Sequence, residues 1–241
     1  MIVLSVGMPR AGSGWHYNLI HDLMETAGYV DAREIRRRYR LQSILTEVNC
    51  NIGALSARRL AMVALPGLFH NFVIKAHAGP SPSSRLLAGL GTLKITYIYR
   101  DPRDAMLSAY EFGQRALTKG RPNAFSHLSS FEKCVDFMME YVRIWEKWMQ
   151  EKNVLIARYE DLLTNYEAES AKLVNYLKLD GSSPAVRTVV DKYRPGAADG
   201  QQGLHFYKGK IGRFREAYSE EQKRLLKEKL SPYLTRMGYE E

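Results

Sequence analysis

Four short apolar runs punctuate the chain, at residues 2–6, 72–76, 95–99 and 154–157. Each is the length of a strand, and together they predict buried parallel strands. Between them the apolar positions return at helical spacing. After the first run these are Leu19, Ile20, Leu23, Met24 and Ala27, and a later stripe is Phe131, Val135, Met138, Val142, Trp145 and Met149. Strands alternating with helices predict an α/β fold of three layers around a central, mostly parallel sheet. Helix starts are marked too. Asp101-Pro102 reads as an N-cap followed by an N1 proline, and Ser129 with Glu132 and Ser219 with Gln222 have capping-box spacing. Trp145 and Trp148 are read as packing residues. The stretch 194–215 is loop-like, with repeated glycines and with Lys208, Lys210, Arg213 and Arg215.

The size and composition narrow the class. A chain of 241 residues, 45% hydrophobic and 25% charged, fits one globular domain over 1–241. The net charge of +9 is unusual and favours an anionic ligand or surface. Cys50 and Cys134 form no metal pattern and fit a reducing compartment. No apolar run reaches membrane-spanning length, and a strand starting at residue 2 leaves no room for a signal peptide, so a soluble cytoplasmic protein is expected.

Chemistry concentrates where the strands end, which is where ligands sit in open parallel sheets. The first strand runs into Gly7-Met-Pro-Arg-Ala-Gly-Ser-Gly-Trp15, a glycine-rich turn into a helix and hence a phosphate cradle. The nucleoside-triphosphate loop G-x-x-x-x-G-K-[ST] is nearly met by Gly7 and Gly12, but Ser13 and Gly14 stand where its lysine and magnesium hydroxyl belong. The cation sits instead at Arg10. The second strand ends in Lys75-Ala-His77, the third in Arg100-Asp-Pro and the fourth in Arg158-Tyr159. Cations and aromatics at four strand ends suit an anion with two charged ends and a base to stack.

These segments resemble the sulfotransferases that use 3′-phosphoadenosine 5′-phosphosulfate (PAPS). The family's T-Y-P-K-S-G-T-T-W loop is similar to residues 7–15, and its K-T-H-L to Lys75-Ala-His77-Ala. Its R-x-P-x-D-x-x-x-S corresponds to the segment from Arg100 to Ser108, its Y-E-D to Tyr159-Glu-Asp161, and its R-K-G-x-x-G-x-W to the segment from Tyr207 to Phe214. The resemblance spans most of the chain, in family order. It implies that Arg10, Ala11, Gly12, Ser13 and Gly14 hold the 5′-phosphosulfate, that Trp15 and Tyr159 place the adenine, and that Arg100, Ser108, Tyr207, Lys208 and Gly209 hold the 3′-phosphate. It further implies His77 as general base, with Lys75 and Arg10 stabilising the transferring charge, no metal, and adenosine 3′,5′-bisphosphate (PAP) as product. Three positions depart from the pattern: Arg10 replaces a lysine, Gly14 a threonine and Tyr207 an arginine.

The acceptor is less legible. Arg33, Arg36, Arg37, Arg38 and Arg40 crowd the segment between the first loop and His77. They suggest a polar or amphiphilic hydroxyl acceptor, such as a sugar, a glycolipid or another small alcohol, presented near an anionic membrane surface. Two other classes compete. A P-loop small-molecule kinase would need the missing lysine and magnesium hydroxyl. A basic nucleic-acid-binding module is suggested by the charge alone, with no named nucleic-acid motif to support it, and no nucleic-acid partner is expected. The oligomeric state is open.

Overall fold

The computed structural model describes residues 1–196 and 209–240. The elements run β1 Ile2–Gly7, α1 Ser13–Glu25, α2 Ala32–Arg38, β2 Asn51–Ile52, α3 Ala57–Gly67, β3 Phe72–Ala76, α4 Pro82–Gly89, β4 Leu93–Tyr99 and α5 Pro102–Thr118. They continue with α6 Phe131–Met149, β5 Val154–Arg158, α7 Tyr159–Thr164, α8 Tyr166–Leu177, α9 Pro184–Lys192, α10 Phe214–Ala217 and α11 Glu220–Leu234. The sheet order is β2-β3-β1-β4-β5, and every pairing between its strands is parallel. The four expected strands are present. The fifth, β2, is a two-residue edge strand beside Lys75 and Ala76, too short to leave an apolar run.

Strand periodicity splits the core into two layers. Ile2, Leu4 and Val6 face one side, with Met138, Val142, Trp145 and Trp148 of α6 and the buried leucines of α11. Val3 faces the other, with Leu19, Ile20 and Leu23 of α1 and Leu173 and Val174 of α8. This is the alternation that a strand buried on both faces requires. Trp148 stacks on Tyr97 of β4 and donates from Nε1 to the Ala78 carbonyl at 3.1 Å, so it packs the core.

Two of the three expected caps form as read. The Asp101 side chain accepts from Arg103 N at 2.9 Å ahead of Pro102, and Ser219 and Gln222 make a reciprocal capping box. The third shifts by one residue. Ser130, not Ser129, caps α6 and accepts from Lys133 N, because Ser129 still belongs to the preceding turn, with its N–H on the His127 carbonyl.

Candidate active site

All strands being parallel, their carboxyl ends meet on one side of the sheet, and a cavity of about 290 Å³ opens there. Most of the residues expected at the site line it: Arg10, Gly12, Ser13, Gly14, Trp15, Lys75, His77, Arg100, Ser108, Tyr159 and Gly209. Ala11 does not; it is fully buried in the core cluster beneath the loop. Tyr207 and Lys208 lie outside the described residues.

The first loop owes its shape to its backbone. Gly12 caps α1 in the left-handed region at φ 73°, and a Cβ there would come within 2.6 Å of the Tyr159 ring. Glycine answers both demands. Arg10 also holds a positive φ, 63°, a conformation that costs a non-glycine residue about 1–3 kcal/mol. Its side chain leans on α5: Nε donates to Ser108 Oγ at 3.3 Å, and the guanidinium lies 4.3 Å from the Phe112 ring centre. The family resemblance places Arg10 and Ser108 at opposite ends of the donor, whereas here the two side chains touch.

Arg100 is held on several sides. One of its terminal nitrogens, Nη2, donates to Asp104 Oδ2 at 3.0 Å and to the Lys210 carbonyl at 2.8 Å. Its guanidinium lies 4.6 Å from the centre of the Tyr159 ring, and among the described residues its buried Nε has no hydrogen-bond partner. Trp15 is held by an Nε1 bond to the Tyr193 carbonyl at 3.0 Å and stacks on Tyr166, with Tyr159 against its edge.

His77 follows β3 and turns back to the first loop. Its Nδ1 lies 2.6 Å from the Gly7 carbonyl, which can only accept, so Nδ1 carries the proton and Nε2 keeps its lone pair. Burial, then Lys75 and Arg10, lower its pKa to about 4. Burial and Arg10 lower Lys75 to about 8, and burial with the nearby Arg115 and Arg100 brings Arg10 to about 10. These shifts share one origin: several cations crowd a poorly solvated space.

His16 lies behind this wall, with its Nδ1 3.4 Å from Ser5 Oγ, and burial plus Lys75 lower it to about 3. Below about pH 6.5 the unfolded chain protonates both histidines while the folded chain leaves them neutral. Stability is therefore expected to fall as pH drops from about 6.5 toward 4, by about 1.4 kcal/mol per pH unit for each histidine. His21, whose pKa is raised beside Asp22, Glu25 and Asp31, contributes its full stabilisation throughout that window and adds no slope. Denaturant midpoints across the window test this. His16→Gln should remove about half of the slope, and a flat profile in the native protein would contradict the assignment.

Several lining residues escaped the sequence reading. Phe112 is one helical turn beyond Ser108, so helix spacing alone could have found it. Lys210 and Arg213 lay in the basic loop already noted, and Arg213 pairs with Glu111. Asn49 and Phe125 come from connections with no local signal. The arginine cluster is the main departure from expectation, because none of Arg33, Arg36, Arg37, Arg38 and Arg40 lines the cavity. Helix α2 buries Ala32 and Ile35, which turns its arginines away from the sheet. Arg36 caps the Leu45 carbonyl at 2.7 Å, and Arg33 pairs with Asp31.

The chain matches the sulfotransferase domain family model over residues 2–228. It is 27% identical over 152 residues to sulfotransferase 6B1 of Danio rerio, covering 56% of this chain and 50% of that protein. It is 25% identical over 103 residues to the amine sulfotransferase of Oryctolagus cuniculus, covering 40% of this chain and 34% of that one. The chain thus spans half or less of the length of these curated relatives. Among solved structures, retinol dehydratase in complex with androsterone and the inactive cofactor PAP shares 19% identity at a TM-score of 0.60, over 97% of this chain and 80% of its own. Mouse sulfotransferase SULT7A1 complexed with PAP shares 15% at 0.60, over 97% and 84%. At such identities these two likenesses are of fold.

Proposed function

The chain belongs to the sulfotransferase domain family, and from that premise we propose that it transfers a sulfuryl group from PAPS to a hydroxyl acceptor. The observation that carries this reading is the cavity at the strand ends. It gathers Arg10, Lys75 and Arg100 around space for an anion. The donor suits that charge. Arg100, with Ser108 and Gly209 nearby, takes the 3′-phosphate, and the N–H groups at the start of α1 take the 5′ end. Trp15 and Tyr159 flank the adenine. The two solved structures named above were complexed with PAP, which agrees with this assignment. The residues expected at the site include no metal ligand set, and no step requires a metal.

The chemistry follows from the His77 tautomer. Nε2 takes the proton of the acceptor hydroxyl as its oxygen bonds to sulfur. The bond from sulfur to the bridging phosphate oxygen breaks in line, and PAP departs. Lys75 and Arg10 meet the charge growing on the bridging oxygen and the sulfuryl group. The low pKa of His77 belongs to a site filled only by cations. The donor's negative charge offsets Lys75 and Arg10 and raises the histidine toward the range where a general base works best.

The acceptor wall is more apolar than the arginine cluster suggested. Phe112 and Phe125 meet edge to face across 5.7 Å with the Arg10 guanidinium 4.3 Å and 5.9 Å from their centres, and Asn49 adds a polar side chain to the lining. A small alcohol with an apolar body fits this wall. Calorimetry tests the donor. PAP is expected to bind without magnesium and at least roughly tenfold more tightly than ADP, a difference of about 1.4 kcal/mol. Tighter binding of ADP with magnesium would replace this reading with the kinase.

A further inference from the structure

Far from the cavity, α3 and α4 pack side by side and turn apolar side chains to solvent. Met62, Leu65, Leu86 and Leu90 are exposed, and the turn after α3 adds Leu68 and Phe69, 72% and 73% exposed. Met62, Leu65 and Phe69 recur at helical spacing, as do Leu86 and Leu90, so two apolar stripes lie next to each other. A surface of this kind marks an interaction site.

Charge selects what covers it. From Val48 to Arg100 the sequence holds no aspartate or glutamate, while Arg58, Arg59 and Arg85 lie on α3 and α4 themselves. Arg85 has a partner in Glu151 at 2.7 Å. The arginine cluster adjoins the same patch. Tyr39 Oη and His70 Nε2 are 3.1 Å apart, which sets exposed Arg38 and Arg40, either side of Tyr39, beside the turn that carries Leu68 and Phe69. A second copy of this chain would bring like charges together. An anionic bilayer offers hydrocarbon to the leucines and Phe69, and phosphate and carboxylate headgroups to the arginines.

We propose that the α3–α4 face, with Arg38 and Arg40 at its border, docks the protein peripherally on an anionic lipid membrane. No helix among the described residues is long and apolar enough to cross a bilayer, which fits contact at the surface. The docked orientation has a consequence. The turns before β3 and β4 lie at the opposite end of the parallel sheet from the cavity, so the cavity faces water when the patch is seated. The acceptor then arrives from solution, and the bilayer sets location instead of supplying substrate.

Co-sedimentation with phosphatidylcholine vesicles, with and without phosphatidylserine, tests the proposal at low and high salt. Binding is expected only with phosphatidylserine, weakening as salt rises. The double substitution Leu68→Glu, Phe69→Glu should lower the partition coefficient by roughly tenfold or more. Arg38→Glu with Arg40→Glu should lower it by roughly fivefold per residue. All four positions are exposed and outside the cavity, so unchanged melting and PAP affinity verify that each variant is folded. Absence of binding to phosphatidylserine vesicles, or binding indifferent to the Leu68 and Phe69 changes, would overturn the proposal. So would a concentration-dependent dimer that those changes dissolve. None of these results bears on PAP binding, so the surface and the catalytic reading stand or fall separately.

Discussion

Replacing His77 with alanine is expected to lower turnover roughly 10²–10⁴-fold, the range a positioned general base contributes, while PAP affinity stays within about twofold of the native value. The split follows from what His77 touches. Its Nδ1–H is bound to the Gly7 carbonyl, which fixes the ring and leaves the Nε2 lone pair for the proposed proton transfer. In the proposed site the charge that holds the nucleotide comes from other residues, chiefly Arg100 and the turn into α1. Removing the imidazole takes away a proton acceptor and one hydrogen bond to the loop, and leaves those cations in place. Steady-state rates with PAP titrations separate the two effects. Imidazole added to the alanine variant should restore part of the rate if proton removal is what was lost. Turnover within a few-fold of native would take His77 out of the mechanism, and a parallel loss of PAP affinity would make it a support for the Gly7 loop instead.

How far the sequence disclosed this site depends on the length scale of each signal. The four longer strands announced themselves as apolar runs, and the groups at their ends are fixed by chain continuity. His77 must follow β3 and Arg100 must follow β4, whatever the packing. Phe112 was within reach by helix spacing from Ser108. Phe125 and Asn49 were not, because long connections bring them to the cavity and no local pattern encodes where those return. The contact of Arg10 with Ser108 depends on a positive φ at an arginine, which composition does not report. The arginine cluster misled for a plain reason. Position in the chain suggested the acceptor side, but Ala32 and Ile35 set which face of α2 is buried, and the arginines took the other.

Asp104 carries the second large effect, on folding. It is fully buried on the first turn of α5, and its two oxygens serve three donors. Oδ2 accepts from Arg100 Nη2 at 3.0 Å and from Gly212 N at 2.8 Å, and Oδ1 accepts from Phe214 N at 2.9 Å. One carboxylate therefore orients the cation assigned to the 3′-phosphate and fastens the segment that carries Gly209 and Lys210 over the cavity. Asp104→Ala would leave Arg100 buried without its counter-charge and two backbone N–H groups unpaired. The loss of one partner from such a pair typically costs about 3–5 kcal/mol, and denaturant unfolding should show a loss of that size. Asp104→Asn tests whether charge or shape matters. The amide keeps the volume but presents N–H to at least one of the donors, so it should rescue little of the loss. A bound phosphate can supply part of the missing negative charge to Arg100, so saturating PAP should stabilise the alanine variant more than it stabilises the native protein. A loss under about 1 kcal/mol would mean that the segment is held by its own packing. An equal increment from PAP in both proteins would mean that Asp104 fastens the chain but does not set the charge that the nucleotide meets.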